Sequence, residues 1–216
     1  HILQICDSLF PVGAFTLSNG LETYVQHDII TSPKELEEYL HSYISVLPYN
    51  ELGAAAAAYN ADENELCRLD EIYSAAKTPF EIRSGSEKVT RRFFKICNNG
   101  RESFTGLYKS LTEQGICKGH QCIAYGLYMR DNGIELSEGL AVYGYSICSA
   151  IVTNCVKLVP LSQLAGQKIL GESFELISSA SEKAIFTDIN DIGISGAGFD
   201  LRAMQHERLY SRQYMS

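Results

Sequence analysis

Three short stretches of this chain combine residue types that can do chemistry. The first is Cys117-x2-His120-x-Cys122. Thiolate sulfur and imidazole nitrogen suit zinc, nickel and copper, so a metal centre is one reading. The spacing is not that of a paired zinc knuckle, and no fourth ligand is evident. Buried thiols beside one hydrogen-bonded histidine are the favoured alternative. The second stretch is His206-Glu207. A zinc-protease helix needs two histidines one turn apart, and position 210 is tyrosine, so one imidazole is left without a metal partner. The third is GISGAGF, from Gly193 to Phe199. It has no clear strand before it and no Gly-Lys-Ser/Thr to reach phosphates and magnesium, so it reads as a hinge ahead of a last helix.

Other chemistries find little support. No Gly-x-Ser-x-Gly elbow is present, and Ser18 and Ser211 lack an obvious base nearby. Glu37 and Glu38 are adjacent on a predicted helix and point apart. The run Arg83 to Lys95 puts Lys88, Arg92 and Lys95 along one helix side. Arg83–Glu87 and Glu87–Arg91 are spaced for ion pairs, so the run reads as a solvated face rather than a nucleic-acid stripe. The terminal segment DLRAMQHERLYSRQYMS is more telling. On a helix, Arg208 and Arg212 share a face and repel by a few tenths of a kcal/mol, roughly, unless acceptors elsewhere receive them. Arginine and tyrosine are favoured at interface hot spots, so a docked tail that also presents a binding surface fits best.

The elements that must position these residues are helical. Ser32-Pro33-Lys34-Glu35 is a capping box with proline at the first helical position. Leu36, Leu40, Tyr43, Ile44 and Leu47 then mark an apolar stripe that ends before Pro48. Gly53 through Ala58 is strongly helical and slim, which lets neighbours approach closely. Asp62 and Glu65 repeat the cap, and Leu66, Leu69, Tyr73 and Ala76 run on to Thr78-Pro79. Phe104, Leu107, Tyr108 and Leu111 form a further stripe, stopped by Gly115. Gly139 to Val156 carries no charged residue. Its tyrosines, serines, Thr153 and Asn154 favour a central helix wrapped by others over a membrane span. Cys148 and Cys155, two turns apart on it, read as core. Val159 is held extended by Pro160, where a new helix begins. The predicted fold is all-α: one helical bundle over residues 1–216 around that uncharged helix, with a docking helix over about 200–212.

Bulk properties agree. A chain of 216 residues, 45% hydrophobic and 20% charged, supports one large core. A net charge of −8 argues against nucleic acid or an anionic membrane as main partner. Seven cysteines without a regular framework read as reduced thiols of a cytoplasmic protein. No signal or transit segment is read at the N-terminus.

Several blocks together resemble the urease accessory protein F (UreF) family. They are Asp7-Ser8-Leu9-Phe10-Pro11-Val12-Gly13-Ala14-Phe15, continuing to Ser18-x-Gly20-Leu21-Glu22; the weaker Glu81-x-Arg83 to Arg91-Arg92, with a minor block at His120 and Gly126-Leu127; Asn154-Cys155-Val156-Lys157-Leu158-Val159-Pro160-Leu161-Ser162-Gln163 with Gly166-Gln167-Lys168-Ile169-Leu170; and Asp200-Leu201-Arg202-Ala203-Met204-Gln205-His206-Glu207 with Leu209-Tyr210-Ser211-Arg212. They span nearly the whole chain.

The resemblance implies a non-enzymatic, all-helical, dimeric maturation factor. Such a factor bridges the accessory protein UreD (UreH in some systems) and the GTPase UreG, and supports nickel insertion into apo-urease. Carried over by residue, it implies partner binding by Phe15, Arg202, His206, Glu207, Tyr210 and Arg212, with Arg212 near Phe15 on the surface that recruits the GTPase. Pro160, Gln163, Gly166 and Gln167 are expected to shape the central fold or the dimer. It implies no bound cofactor or metal, no nucleic acid and no membrane. Arg202, Arg208 and Arg212 are by position the candidates for an arginine finger, ranked below simple docking. Two rival readings stay on the table. One is a small helical hydrolase using His206 and Glu207. The other is a direct nickel carrier through Cys117, His120 and Cys122.

Overall fold

Side-chain caps start several of the helices. The computed structural model describes residues 1–14, 17–97, 100, 102–194 and 196–215, and among these no strand occurs. The order is α1 (Ile2–Ile5), α2 (Leu21–Gln26), α3 (Pro33–Val46), α4 (Glu51–Asn60), α5 (Glu63–Ala76), α6 (Phe80–Ile96), α7 (Phe104–Glu113), α8 (Gln121–Asp131), α9 (Leu136–Leu158), α10 (Gln163–Glu172), α11 (Phe174–Ile185) and α12 (Ala197–His206). The chain is an all-α domain.

Asp62 caps α5 with the full reciprocal box: its side chain accepts from Glu65 N, and Glu65 returns to Asp62 N. At α3 the return lands one residue early. Ser32 accepts from Glu35 N at 3.4 Å, but the Glu35 carboxylate takes Thr31 N at 2.7 Å, because Pro33 at the first turn fixes the approach. α3 ends at Val46, and Pro48 sits in a 3-10 turn over Leu47–Tyr49. α10 starts at Gln163, three residues beyond Pro160, because the Ser162 side chain rather than the proline caps it. Of the expected ion pairs on α6, Glu87–Arg91 forms at 3.3 Å. Arg83 instead donates to the carbonyls of Lys77 and Thr78 at 2.6 and 3.3 Å, where α5 has ended and left acceptors unpaired.

α9 contacts α1, α2, α3, α4, α8, α10 and α11. Leu140, Tyr143, Cys148, Ile151, Val152 and Cys155 face that core, each aliphatic side chain contributing about 1.5–3 kcal/mol on burial. By length and composition α9 passes for a membrane span, and half of its most apolar window is buried here. It is not wrapped on every side. Tyr145, Ala150 and Thr153 are exposed, since small and hydroxylated residues on that stripe tolerate water.

α4 and α8 pack backbone against backbone. A Cβ at Gly126 would lie 2.1 Å from the Ala55 carbonyl oxygen, so only glycine opposite the alanine run lets the two backbones meet. Gly166 does the same for α10, with Val152 and Val156 methyls each 2.9 Å from where its Cβ would be.

Candidate functional site

The terminal segment is positioned from two sides. Gly20 caps α2 with φ of 84°, and a Cβ there would come within 2.9 Å of Ala203 N. Glycine is required twice over, by the left-handed backbone and by the contact with α12. α12 is shorter than its sequence predicts. It ends at His206, and the chain continues to Met215 without helix, so Arg208 and Arg212 do not share a helical face. The physical reason is the set of acceptors waiting on α2 and α6, which take the tail's donors more favourably than further helical turns would.

Glu22, at the start of α2, is the hub. Its carboxylate accepts the backbone N–H of Gln213 at 2.8 Å and of Tyr214 at 3.1 Å, and lies 3.1 Å from His206 Nε2. Gln26, one turn on, donates to Glu22 at 3.3 Å and to the Ser211 carbonyl at 2.8 Å. On the other side of the ring, His206 Nδ1 is 2.7 Å from Glu81 Oε2, and Arg212 donates to Glu81 Oε1 at 2.6 Å. Both ring nitrogens therefore face carboxylate oxygens. The side chains of His206 and Glu22 are 0% and 3% exposed, whereas Arg212 is 41% exposed. Two acids, an imidazole and a guanidinium thus clasp residues 206–214 to the body.

This arrangement removes the hydrolase pairing. His206 is fully buried with both nitrogens committed, and Glu207 is exposed at the helix end, so the adjacent residues do not act on one substrate. Arg202 donates to Gln205 Oε1 at 2.8 Å and stacks 5.7 Å over the Tyr24 ring. Leu201 and Met204 face outward, and Tyr210 is fully exposed. Arg208 is exposed as well. Phe15 lies outside the described residues, as does any contact between it and Arg212. Gly166 is buried against α9, while Pro160, Gln163 and Gln167 are exposed.

The stretch from Cys117 to Cys122 is brought together with α5, not around a cation. Asp70 accepts from Tyr108 OH at 2.5 Å, Lys118 N at 2.7 Å and Gly119 N at 3.1 Å. His120 Nε2 meets Ser74 Oγ at 2.7 Å, its Nδ1 has no hydrogen-bond partner among the described residues, and its ring stands edge-on to Tyr73. Burial pushes the His120 imidazole down to about 4, with Lys77 and Arg83 adding to the effect and Asp70 opposing it. Burial likewise pushes the Cys122 thiol up to about 12. Cys117 turns to Cys67. Among the described residues no group of three or more His, Cys, Asp or Glu side chains is arranged to hold a metal ion.

A cleft of about 120 Å³ opens nearby between α4, α5, α8 and α9, lined by Glu51, Tyr73, Lys77, Cys122, Tyr143 and Asn154. Lys77 Nζ and Glu51 Oε1 pair at 2.6 Å with side chains 12% and 16% exposed. That volume is well below the roughly 300–1,000 Å³ of ordinary ligand pockets, so the cleft suits no large cofactor.

Sequence reasoning did not single out Glu22, Glu81 or Lys77 as partners of distant residues. Glu22 did carry a signal, an acid two residues after a glycine and set between Leu21 and Thr23.

The fold and these side chains define an all-α domain whose polar network fastens its own C-terminus and displays an exposed rim beside it. The UreF family profile matches residues 30–173. The urease accessory protein UreF of Haemophilus influenzae (strain PittGG) is 34% identical over 222 residues, covering all of this chain and 94% of that protein. Its counterpart in Actinobacillus pleuropneumoniae serotype 5b (strain L20) is 33% identical over 221 residues, covering all of this chain and 97% of its own length. The one from Streptococcus thermophilus (strain ATCC BAA-491 / LMD-9) is 29% identical over 222 residues, covering all of this chain and 94% of its own length. The chain belongs to the UreF family of urease accessory proteins. That membership supports a role in urease maturation.

Proposed function

We propose that the chain is a cytoplasmic, homodimeric scaffold without catalytic activity of its own. It bridges UreD/UreH and the GTPase UreG and supports nickel insertion into apo-urease. The observation that carries this reading is the clasp. By fastening His206 on one side and Arg212 to Tyr214 on the other, it holds the intervening loop at both ends. Arg208 and Tyr210 then stand exposed in that loop beside the outward Leu201 and Met204. Anchored loops bearing arginine and tyrosine beside apolar residues lose little entropy on docking, which favours tight contacts.

The roles within the segment divide accordingly. His206 and Arg212 position the loop, and Arg202, Arg208 and Tyr210 contact partners. Of the three arginines that are finger candidates by position, Arg202 and Arg212 already donate to Gln205 and Glu81, which leaves Arg208 as the strongest candidate.

Co-purification of the chain with UreD/UreH and UreG tests the proposal. Wild type is expected to form the three-protein complex, and a Tyr210→Ala, Arg208→Ala double variant to lose a partner while staying folded. Intact assembly of that double variant would move the docking surface elsewhere. Failure of wild type to bind either partner would overturn the scaffold reading.

A further inference from the structure

α5 meets the connector between α7 and α8 along one seam. Positions 67, 70 and 74 are three and four residues apart, so they share a face of the helix. Asp70 holds the N–H groups of Lys118 and Gly119, and Ser74 holds His120. At the head of the same seam Cys67 Sγ lies 3.9 Å from Cys117 Sγ. Both thiols are free; Cys67 is half-buried and Cys117 buried. The contact is thus the first rung of a registered series, not an isolated approach of two side chains.

We propose that Cys67 and Cys117 form a reversible disulfide that locks α5 to the α7–α8 connector under oxidising conditions. A disulfide holds its sulfurs about 2.05 Å apart, so from 3.9 Å they must close by about 1.9 Å, within reach of χ1 rotation. The half-buried Cys67 reacts first. Burial, with the Asp70 carboxylate and the neighbouring sulfur, pushes the Cys117 thiol far up, so it stays protonated and attacks only once an electrophilic sulfur stands beside it. With hydrogen peroxide as oxidant, the Cys67 thiolate attacks one peroxide oxygen. The O–O bond breaks, one water leaves, and Cys67 becomes a sulfenic acid. The Cys117 sulfur then attacks that sulfur, the S–O bond breaks, and a second water carries away the Cys117 proton as the S–S bond forms. The two thiols give up two electrons in all, and the peroxide takes them.

The link closes a loop between positions 50 apart in sequence, which removes much of the freedom of the unfolded chain. It also bears on the cleft. α5 carries Tyr73 and runs directly into Lys77, and both line that cavity, so oxidation clamps one of its walls. Transient disulfides of this kind are the usual form in which reduced compartments use them.

The test treats the full-length chain with hydrogen peroxide, then with dithiothreitol, and follows peptide mapping by mass spectrometry beside thermal unfolding. A linked peptide pair containing Cys67 and Cys117 is expected, with Tm raised by roughly 5–10 °C and restored by dithiothreitol. Cys67→Ser alters the half-buried partner and is the primary control, in which link and shift should both vanish. Cys117→Ser, at the buried position, is read by mapping alone, with Cys67 expected to remain unlinked. Absence of the linked pair in wild type would overturn the proposal. So would an equal Tm rise in Cys67→Ser, or a link that leaves Tm unchanged.

Discussion

Glu22 accepts the backbone N–H of Gln213 at 2.8 Å across 191 positions of sequence. The contact ties the beginning of the chain to its end, and it does so through a buried carboxylate that also meets His206 at 3.1 Å. Breaking one partner of a buried ionic network leaves the others uncompensated. This inner link therefore stabilises the tail far more than the outer Arg212–Glu81 pair, whose arginine is 41% exposed.

Glu22→Ala is expected to cost about 3–5 kcal/mol of stability and to make residues 207–215 cleavable under native conditions. Arg212→Ala should cost only about 0.5–1 kcal/mol. Urea unfolding combined with limited proteolysis separates the two, and equal protection of the tail in Glu22→Ala would contradict the clasp.

Gly126→Ala forces a methyl to within 2.1 Å of the Ala55 carbonyl oxygen where α8 meets α4. Neither backbone yields without moving a helix, so a loss of at least about 2 kcal/mol is expected, read as a fall in Tm of roughly 4–8 °C. Gly171→Ala is the matched control, because among the described residues nothing beyond its chain neighbours and its own helix backbone lies within 4 Å of its Cβ position. A similar fall in both variants would refute close approach as the cause.

Tyr210→Ala removes a ring that is fully exposed. Stability should change by less than about 0.5 kcal/mol, while capture of a maturation partner drops measurably. Calorimetry and a pull-down on the same preparation check both halves. A stability loss above that range would show that the ring packs in solution.

His120 governs one part of the pH response. Its imidazole is pushed from 6.5 down to about 4, first by burial and then by Lys77 and Arg83, with Asp70 opposing. The folded state therefore binds fewer protons than the unfolded state between those values. The associated stability, roughly 3 kcal/mol, is complete above the unfolded value and is lost as pH falls towards 4. Wild type should weaken between pH 7 and pH 5 more steeply than His120→Asn, which does not titrate. Parallel slopes in urea unfolding would exclude the histidine as the source.

Much of the fold was legible because helix signals are local. The Asp62 box, the Ser32 cap, the Phe104 to Leu111 stripe and the uncharged stretch from Gly139 each fall in their predicted helices. The C-terminal end was less legible. Periodicity carried α12 on to about position 212, but the helix stops at His206. No local feature reveals that Glu22 and Glu81 supply acceptors for the tail, since they lie 191 and 131 positions away from Gln213 and Arg212. The Cys117, His120 and Cys122 group misleads for the same reason. Its residues are close in sequence, yet their contacts run to Cys67 and Ser74 on another helix.

The sequence by itself determined the all-α class, several helix starts and the family, because caps, apolar stripes and characteristic blocks depend on residues a few positions apart. The tertiary structure alone decided which side of α9 is buried, where the last helix ends, and that His206 is a buried bridge instead of an exposed base. Those outcomes depend on which desolvated donors and acceptors meet across the fold. Burial makes such pairings costly to leave incomplete, and only packing of the whole chain selects the partners.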